Sequence, residues 1–428
     1  MINWWEKTGS LIRLIPKKWK LSLRDFEKMI PEIAACGFGA IELYAPYKSG
    51  FEYLGLDIID LNQVDPALGT FEDLKSFLDT AHAAGLYVIA NLNIGYGAAD
   101  YAPFLKACDD VRNNVESEER TWFLFSDKPE PMERPHAPFF LQDADGRWVY
   151  SERAGCYFWV KWFGMKGDTI LPQFNFASES LRREIAKSLA MWRDMGFDGF
   201  MVDAVNWYVN CDWAINERAI TGPIHEKGEL WVQPEGAGGF RDDPVPWIKE
   251  GRYNCVQDYS LYLWWENVNV LGDAIASGNP SAIEKTLVGY RDRVVEAGGV
   301  CYVGINQADA APLPLDEKQI FELAILIGIG EMICVNKMPN VFGHKELRDL
   351  LKFQSAHPAL WPSSNRVKLD TQDDERFLAF LKHSADGSET VLAVYNFTDH
   401  NETIDATLPD GKVMKKTLPG KGYSFDVI

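Results

Sequence analysis

The sequence predicts an α/β protein: a (β/α)8 TIM barrel with a small subdomain inserted after the third strand and a C-terminal antiparallel β-sandwich domain. Short apolar runs alternate with segments of helical periodicity along most of the chain. This rhythm breaks once, and near the C-terminus it gives way to strands separated by Asp-Gly and Pro-Gly turns. The predicted boundaries are 1–94 and 176–356 for the barrel, 95–175 for the inserted subdomain and 357–428 for the C-terminal domain.

The barrel is predicted from eight strand-like runs separated by helices. The first three runs are Leu11–Ile15, Ala40–Leu43 and Leu86–Leu92. The other five are Gly199–Val202, Leu230–Val232, Asn254–Gln257, Gly299–Ile305 and Met332–Val335. Helical spacing predicts helices over 23–36, 70–84, 180–195 and 320–329. Because sustained strand–helix repetition implies a parallel sheet, eight repeats predict a closed barrel.

The remaining segments are less regular. Residues 51–65 are predicted to form an irregular connection. The insertion, from about Gly95 to Phe174, is rich in Pro, Gly, Asp and aromatic residues, with a hairpin-like turn signal at Asp143–Gly146. In the C-terminal domain the predicted strands are Phe377–Lys382, Thr390–Asn396, Glu402–Leu408 and Gly422–Ile428.

Composition excludes several classes of protein. The formal charge of −19 argues against nucleic acid or an anionic membrane as partner. The seven cysteines are scattered and odd in number, which favours buried thiols over disulfides or a zinc site. The chain contains no apolar run of about 18 residues and no evident signal peptide. A cytoplasmic protein without cofactor or metal is therefore expected.

One stretch, 196–206, draws most attention. A short apolar strand, Gly199–Val202, ends abruptly in the carboxylate of Asp203. A charge at the end of a buried strand costs desolvation energy unless it is paired, so it is either a satisfied structural anion or a working group. The carboxyl ends of barrel strands are where active sites lie.

The next strand ends in a second carboxylate, Glu235. Two carboxyl groups about 5 to 5.5 Å apart are the geometry of retaining glycoside hydrolysis, in which one is the nucleophile and the other the acid and then the base. Asp203 has the shorter side chain and is assigned as the nucleophile, and Glu235 as the acid/base. Paired carboxylates also serve as metal ligands or helix caps, so the pair alone does not decide between these uses.

Segments along nearly the whole chain resemble the α-amylase family, glycoside hydrolase family 13, and most of all its oligo-1,6-glucosidase and sucrose-isomerase branch. The resembling segments are Asn3–Glu6, Gly55–Asp60, Val64–Asp73, Pro172–Phe176, Gly196–Val205, Glu229–Glu235 and His357–Leu360. The resemblance implies a (β/α)8 barrel and retaining chemistry at α-glycosidic bonds. It also gives Asp203 the nucleophile role and Glu235 the acid/base role.

Several positions depart from the family pattern. Met201 stands where the family has an Arg two residues before its nucleophile, and Tyr96 stands where it has a sugar-binding His. The family's calcium-binding Asn is Gly95 here, and the Tyr of its Gly-Tyr-Asp motif is Leu56. The lost Arg must be offset, so another donor is expected near Asp203. The candidates for it are Arg13, Tyr96, Asn306 and Gln307.

The resemblance also implies a third carboxylate after the seventh strand. It is Asp309 if 307–309 aligns with the family's Asn-His-Asp, whereas the alternative alignment, 306–308, has none. The predicted substrate-binding residues are Asp57, Tyr96, Trp207, Asn306 and Gln307, with simple packing as the alternative for Trp207. Asp258 could contact substrate or cap a helix.

Three functions remain open. The first is a retaining α-glycoside hydrolase or transglycosylase acting on a short, non-standard α-glycoside, either an oligosaccharide or a small glycoside. The second is a catalytically silent sugar-binding or interaction protein of the same fold. The third is an isomerase of the sucrose or trehalose kind.

Overall fold

The computed structural model describes residues 3–50, 53–128, 130, 146–161, 170–205, 208–236, 243–258, 260–263, 268–305, 315–336 and 341–428. Eight parallel strands form one sheet. In chain order they are β1 Ser10–Leu14, β2 Ala40–Tyr44, β3 Tyr87–Leu92, β4 Gly199–Val202, β5 Trp231–Pro234, β6 Cys255–Gln257, β7 Val300–Ile305 and β8 Met332–Asn336. The predicted (β/α)8 architecture is confirmed, and each predicted strand lies within about two residues of an observed one.

The strands are ordered β5-β4-β3-β2-β1-β8-β7-β6. The sheet closes between its two end strands, where the Asn254 N–H donates to the Val232 carbonyl over 3.1 Å. Alternate side chains from the strands pack inside the barrel. These inward side chains include Leu11, Ala40, Ile89, Met201, Trp231, Cys255, Val300, Tyr302, Met332 and Cys334. The interior of the barrel is therefore a packed core rather than a channel.

Helices cover the outside of the sheet. The helices of eight or more residues are Phe71–Ala83, Ala102–Arg112, Glu179–Asp194, Val270–Ser277, Ser281–Gly289, Glu317–Ile329 and Lys345–Ala356. Shorter helices span Trp4–Lys7, Pro16–Trp19, Leu23–Glu27, Ile30–Cys36, Glu118–Thr121, Trp213–Asn216, Gly222–His225, Val245–Lys249 and Arg291–Glu296. Single 3₁₀ turns lie at Tyr53–Gly55 and Pro358–Leu360, and a π-helical turn spans Glu217–Thr221. Within the described part of the chain, none of the helices has the length and apolar character needed to cross a membrane.

The helix predicted over 23–36 is in fact two helices, Leu23–Glu27 and Ile30–Cys36. Pro31 explains the break, because a proline in a helix interior removes one backbone donor and clashes with the preceding turn. At the start of the second helix its ring is tolerated. By contrast, the capping box at Thr70 and Asp73 forms as predicted and begins the helix Phe71–Ala83.

Two segments predicted to be irregular contain regular structure. Ile58–Val64 is a strand that pairs antiparallel with Tyr47–Ser49. The insertion contains the helix Ala102–Arg112 and an antiparallel sheet. The strands of that sheet are Phe125–Ser126, Gly146–Ser151, Cys156–Lys161 and Leu171–Pro172. Asp143 and Asp145 of the predicted turn lie outside the described residues. A further two-stranded ribbon joins Tyr262–Leu263 to Val268–Asn269.

The C-terminal domain is an antiparallel sheet of six strands. They are β9 Asn365–Thr371, β10 Phe377–His383, β11 Thr390–Asn396, β12 Glu402–Thr407, β13 Val413–Leu418 and β14 Tyr423–Val427. Strand β9 pairs with β10 along most of its length and with β12 at its end, so it joins two halves of the sheet. These halves enclose a separate core that includes Leu369, Leu392 and Ile404. The predicted C-terminal β domain is confirmed.

All seven cysteines are free thiols, and all are buried except the partly exposed Cys211. This agrees with the prediction of buried thiols rather than a disulfide framework. Burial raises the pKa of the Cys36 and Cys108 thiols to about 11, so these side chains stay protonated near neutral pH.

Candidate active site at the carboxyl ends of the strands

Asp203 and Glu235 follow directly on the paired ends of β4 and β5. The last register pair is Val202 with Pro234, and one residue further on the two acids stand side by side. Backbone bonds continue to this point, from Asp203 N–H to the Leu92 carbonyl (3.0 Å) and from Glu235 N–H to the Val202 carbonyl (2.9 Å). Neighbouring strands are about 4.8 Å apart, so the two side chains emerge at a spacing compatible with a carboxylate pair.

Ala204 connects the two acids. Its backbone N–H donates to Glu235 Oε2 over 3.1 Å. Its φ of +48° is in the left-handed region that residues other than glycine seldom adopt. This conformation turns the peptide after Asp203 toward Glu235, and the resulting hydrogen bond fixes one oxygen of that carboxylate.

Tyr96 supplies a donor to Asp203. Its hydroxyl lies 3.2 Å from Asp203 Oδ2, and Asp203 is only 2% exposed. Tyr96 therefore meets the expectation of a polar group near Asp203 in place of the missing arginine. Arg13 does not fill this place, because its guanidinium bonds to Glu42 and to the Tyr302 hydroxyl instead.

Two further buried tyrosines surround Asp203. The Tyr208 hydroxyl donates to the Asp203 carbonyl over 2.7 Å, and its ring stacks on Phe176 with centroids 4.8 Å apart. Burial first, and then the negative charge of Asp203, raise the pKa of the Tyr47 and Tyr208 phenols. Both hydroxyls therefore remain protonated and act as hydrogen-bond donors rather than as bases.

Asn93 orients the loop after β3, and sequence reasoning missed it. Its amide nitrogen donates to the Leu56 carbonyl (2.5 Å) and the Tyr96 carbonyl (2.8 Å), while its oxygen accepts from the Gly95 N–H (2.8 Å). Asn93 therefore fastens the loop that carries Tyr96 to the loop that carries Asp57. The available signal was its position, a polar side chain just beyond the end of a buried strand.

Glycines allow both loops to approach closely. A Cβ at Gly95 would lie 2.4 Å from the Tyr208 ring, and a Cβ at Gly50 would lie 1.8 Å from Asp57 Oδ2. Asp57 is 3% exposed, and its carbonyl accepts from the Gly50 N–H over 3.0 Å. The glycine that replaces the expected asparagine at position 95 thus makes room for a buried aromatic ring.

The barrel interior beneath the two acids is polar. Met201 lies between Asn91 and Gln233 on the neighbouring strands, and all three are buried. One strand further, Glu42 accepts from Asn91 (2.8 Å) and forms a two-point ion pair with Arg13 at 2.8 and 3.1 Å. The positive charge inside this part of the barrel is therefore carried by Arg13 on β1 and not by the residue at position 201 on β4.

Four predicted site residues lie outside the described residues: Trp207, Asn306, Gln307 and Asp309. The structure does bring together Asp203, Glu235 and Tyr96 at the mouth of the barrel, with Asp57 on a loop fastened to that of Tyr96. Asp258 is 2% exposed and accepts from the Ser260 N–H over 2.7 Å, so it closes a buried turn.

The described residues contain one group with metal-ligand composition, formed by Asp258, Cys301 and Glu331, whose ligand atoms lie within 4.8 Å of one another. All three residues are buried. Arg291 Nε lies 3.7 Å from Glu331 Oε1, and Arg291 also donates to the Gly330 carbonyl. Arg291 thus supplies, within this cluster, the positive charge that a metal ion would otherwise supply.

The stability of the Asp258→Asn protein relative to the parent is expected to increase as pH rises from about 4 to about 6. Burial raises the pKa of Asp258 from 3.8 to about 6, although Ser260 and Arg291 oppose the shift. Since the folded state holds this proton more tightly than the unfolded state, folding stability contributed by Asp258 falls as pH rises from about 4 to about 6, by about 3 kcal/mol. Denaturant unfolding at pH 4, 5 and 7 measures it. Parallel pH curves for the two proteins would contradict this assignment.

The fold and the site define a class: a TIM-barrel protein with a carboxylate pair at the carboxyl ends of neighbouring strands. Within that class, residues 28–259, more than half of the chain, match the family model described as "Alpha amylase, catalytic domain". The chain therefore belongs to the α-amylase family, as the sequence motifs predicted.

Relatives within this family include an oligo-1,6-glucosidase from Heyndrickxia coagulans, 26% identical over 212 residues, which are 48% of this chain and 36% of that protein. A trehalose synthase from Pimelobacter sp. (strain R48) is 28% identical over 161 residues, covering 38% of this chain and 26% of that protein. The matched regions thus span about a third of these relatives or less.

Solved structures share the fold over almost the full chain. "Eubacterium rectale Amy13B" superposes with a TM-score of 0.78 at 13% identity, covering 98% of this chain and 95% of that one. The trehalose-6-phosphate hydrolase of Bacillus licheniformis gives a TM-score of 0.75 at 14% identity, covering 100% of both chains. At these identities the likeness establishes the architecture alone.

Proposed function

We propose that the protein is a retaining α-glycoside hydrolase or transglycosylase that acts on a short, non-standard α-glycoside through a covalent glycosyl-enzyme. Asp203 attacks the anomeric carbon while Glu235 protonates the leaving oxygen. Glu235 then removes a proton from water, or from an acceptor hydroxyl, as that oxygen attacks the same carbon and Asp203 departs. Two inversions at one carbon return the original configuration.

The observation that carries this proposal is the contact between the two acids through Ala204. The Ala204 N–H donates to Glu235 Oε2 over 3.1 Å, so the peptide that follows Asp203 holds one oxygen of the acid/base in place. The proton donor and the nucleophile are thereby held side by side on rigid strand ends. This pre-organisation is what general acid and nucleophilic catalysis require.

The substitutions around the pair support a non-standard sugar. The Tyr96 hydroxyl hydrogen-bonds to Asp203, so it positions the proposed nucleophile in addition to any contact with the sugar. Asp57, Trp207, Asn306 and Gln307 are proposed to contact the substrate, and Asp309 to be the third carboxylate. This altered set of partners fits a modified, cyclic or non-glucose ring.

Covalent trapping tests the proposal. The Glu235→Gln protein, given an aryl α-glycoside with a good leaving group from a panel of different sugars, is expected to accumulate a glycosyl adduct. Intact-protein mass spectrometry detects the added mass, and peptide mapping is expected to locate it on Asp203. An adduct on another residue, or none with any sugar of the panel, would argue against the proposed mechanism.

The same experiment separates two other candidates. The match to a trehalose synthase favours an isomerase as the second candidate. An isomerase would convert a disaccharide into its isomer without net release of sugar. A silent binding protein would form no adduct, and its Asp203→Ala variant would bind sugar as tightly as the parent. Product analysis by anion-exchange chromatography distinguishes hydrolysis, transfer and isomerisation.

The Tyr96→Phe substitution is expected to lower kcat/KM about tenfold to a hundredfold. The Tyr96 hydroxyl donates to Asp203 Oδ2 over 3.2 Å, and a hydrogen bond to a charged group contributes about 1.5 to 3 kcal/mol. Steady-state kinetics on an activated aryl α-glycoside measure the loss. Tyr101→Phe, which changes a partly buried tyrosine in the insertion, is the control. A loss no larger than that of the control would contradict this role of Tyr96.

A further inference from the structure

A recess lies inside the mouth of the barrel, away from the two acids, and is lined by Arg13, Tyr302, Gly304 and Asn336. These residues belong to β1, β7 and β8, whereas the two acids follow β4 and β5 on the opposite side of the closed sheet. Gly304 leaves the space open, because a Cβ at this position would meet only one described atom within 4 Å, the Tyr302 hydroxyl oxygen at 3.9 Å. Gly304 is also partly exposed, so a small group has room beside it.

Two polar side chains face this recess without using all of their hydrogen-bonding atoms. Arg13 and Asn336 pair in register across β1 and β8, and they point inward because they lie two residues beyond Leu11 and Cys334, which face the barrel interior. Arg13 uses Nε and Nη2 for its bonds inside the barrel, and its Nη1 bonds to none of the described residues. Asn336 Oδ1 is buried and accepts from none of them either. The recess therefore offers an N–H donor and an amide acceptor.

The layer of side chains beneath the recess is polar as well. A TIM barrel is filled by layers of four side chains from alternate strands, in which branched apolar residues dominate. Here β1, β3, β5 and β7 contribute Arg13, Asn91, Gln233 and Tyr302. Both polar atoms of the fully buried Gln233 amide, and Asn91 Oδ1, have no hydrogen-bond partner among the described residues. Because buried polar groups are nearly always hydrogen-bonded in folded proteins, this interior favours a bound polar molecule.

We propose, building on the proposed function, that the recess binds a neutral polar substituent of the sugar ring, a hydroxyl or an amide group, while the anomeric carbon faces Asp203. Such a group accepts from Arg13 Nη1 and donates to Asn336 Oδ1. A site built to hydrogen-bond a substrate O–H or N–H rejects the analogue that lacks it, because the polar groups of the site would then stay unpaired. Arg13 and Asn336 are therefore specificity-determining residues.

The balance of charge in the barrel favours a neutral group over an anion. Glu42 already compensates the charge of Arg13 through two hydrogen bonds, and the proposed nucleophile Asp203 adds a negative charge at the mouth. A carboxylate or phosphate in the recess would bring a further anion without a counter-ion into a largely buried space. Arg13 thus acts on the ligand as a hydrogen-bond donor rather than as a counter-ion.

Sugar binding to the Asp203→Asn protein, which needs no turnover, tests this inference. Isothermal titration calorimetry compares the methyl α-glycosides of several hexoses and N-acetylhexosamines with their monodeoxy derivatives. For the sugar that binds best, one monodeoxy derivative is expected to bind about tenfold to a hundredfold more weakly, because it leaves the recess without its polar group. Inorganic phosphate and acetate are expected not to compete with the sugar.

Three substitutions in this protein separate the recess from the rest of the pocket. Gly304→Val fills the recess, and Asn336→Leu removes the acceptor at similar side-chain volume. Arg13→Met combined with Glu42→Gln removes the donor while the charge stays balanced. Each change is expected to weaken binding of the best sugar about tenfold or more and to alter binding of that monodeoxy derivative much less, so the difference between the two sugars disappears.

Gly289→Val is the matched control for the glycine substitution. Gly289 ends the helix Ser281–Gly289 on the surface, and a Cβ there would have no described atom within 4 Å. This variant is expected to bind both sugars like the Asp203→Asn protein. Thermal unfolding checks that each variant folds.

Several results would overturn the inference. Equal binding of the best sugar and all of its monodeoxy derivatives is one, and no binding by any sugar of the panel is another. If the difference between the two sugars persisted in Gly304→Val and Asn336→Leu, the recess would hold only water. Competition by phosphate or acetate would contradict a neutral ligand. Failure of the proposed function is a separate result, because the absence of any glycosyl adduct would leave this selective binding intact.

Discussion

The Asp203→Asn protein is expected to cleave an activated aryl α-glycoside about 10⁴-fold more slowly than the parent, because an amide cannot form the glycosyl ester on which both half-reactions depend. Steady-state kcat/KM and a pre-steady-state burst measure the loss. Azide added to the Asp203→Gly variant, in which the truncated side chain leaves room for it, is expected to attack the anomeric carbon from that face and give the inverted glycosyl azide.

The Glu235→Gln protein is expected to behave differently. With a good leaving group the first step needs little protonation, so the glycosyl-enzyme forms and then persists because no base activates water. With a poor leaving group the rate falls by about 10² to 10⁴. In the Glu235→Ala variant, azide is expected to release the glycosyl group with retained configuration, the opposite outcome to that in Asp203→Gly.

Asp198→Asn provides the matched control. Asp198 precedes the same strand at its other end, where it accepts from the Val88 N–H over 2.7 Å. An asparagine oxygen can accept the same bond, and the substitution lies at the opposite end of the barrel from the site. A large loss of activity in this variant, or identical azide products from the two active-site variants, would contradict the assigned roles.

The positions of the two acids could be predicted because they depend on local sequence. A buried run of four residues that ends in a carboxylate fixes both the strand and the side chain at its end, and the parallel register then brings Asp203 beside Glu235. Neither step requires knowledge of distant packing. The closed barrel follows from the same repetition of strands and helices.

The sequence limits the donor to Asp203 to a few candidate residues but does not decide among them. Arg13 and Tyr96 were both candidates, and the choice depends on Glu42, which lies on the strand next to Arg13 and captures its guanidinium at 2.8 Å. The sequence contains Arg13 and Glu42, but it does not show that Glu42 pairs with Arg13 inside the barrel. Asn93 was missed for a related reason, since its three hydrogen bonds join loops separated by up to 37 residues.

Strands with little buried apolar surface were also missed. Ile58–Val64 contains three polar side chains and pairs with Tyr47–Ser49, with two shifts of register. Strands β9 and β13 bury only Leu369 and Leu418, respectively. Such edge or half-exposed strands carry little of the period-two signal on which strand prediction depends, and backbone pairing rather than apolar patterning holds them in the sheet.

The Arg13→Met substitution is expected to lower the free energy of unfolding by about 3 to 5 kcal/mol, because it leaves the Glu42 carboxylate buried without its cation. Glu42 is fully buried and bonds to Arg13 through both oxygens. A second change, Glu42→Gln, removes the uncompensated charge and is expected to recover most of this loss. Urea unfolding followed by tryptophan fluorescence measures the stability of the parent, the single variant and the double variant.

The control is Lys345→Met, which breaks the exposed pair with Asp349 and is expected to lower the free energy of unfolding by about 0.5 kcal/mol or less. If the double variant were less stable than Arg13→Met alone, the hydrogen bonds of Glu42 to Asn91 and Tyr302, rather than its charge, would dominate the stability of the barrel interior.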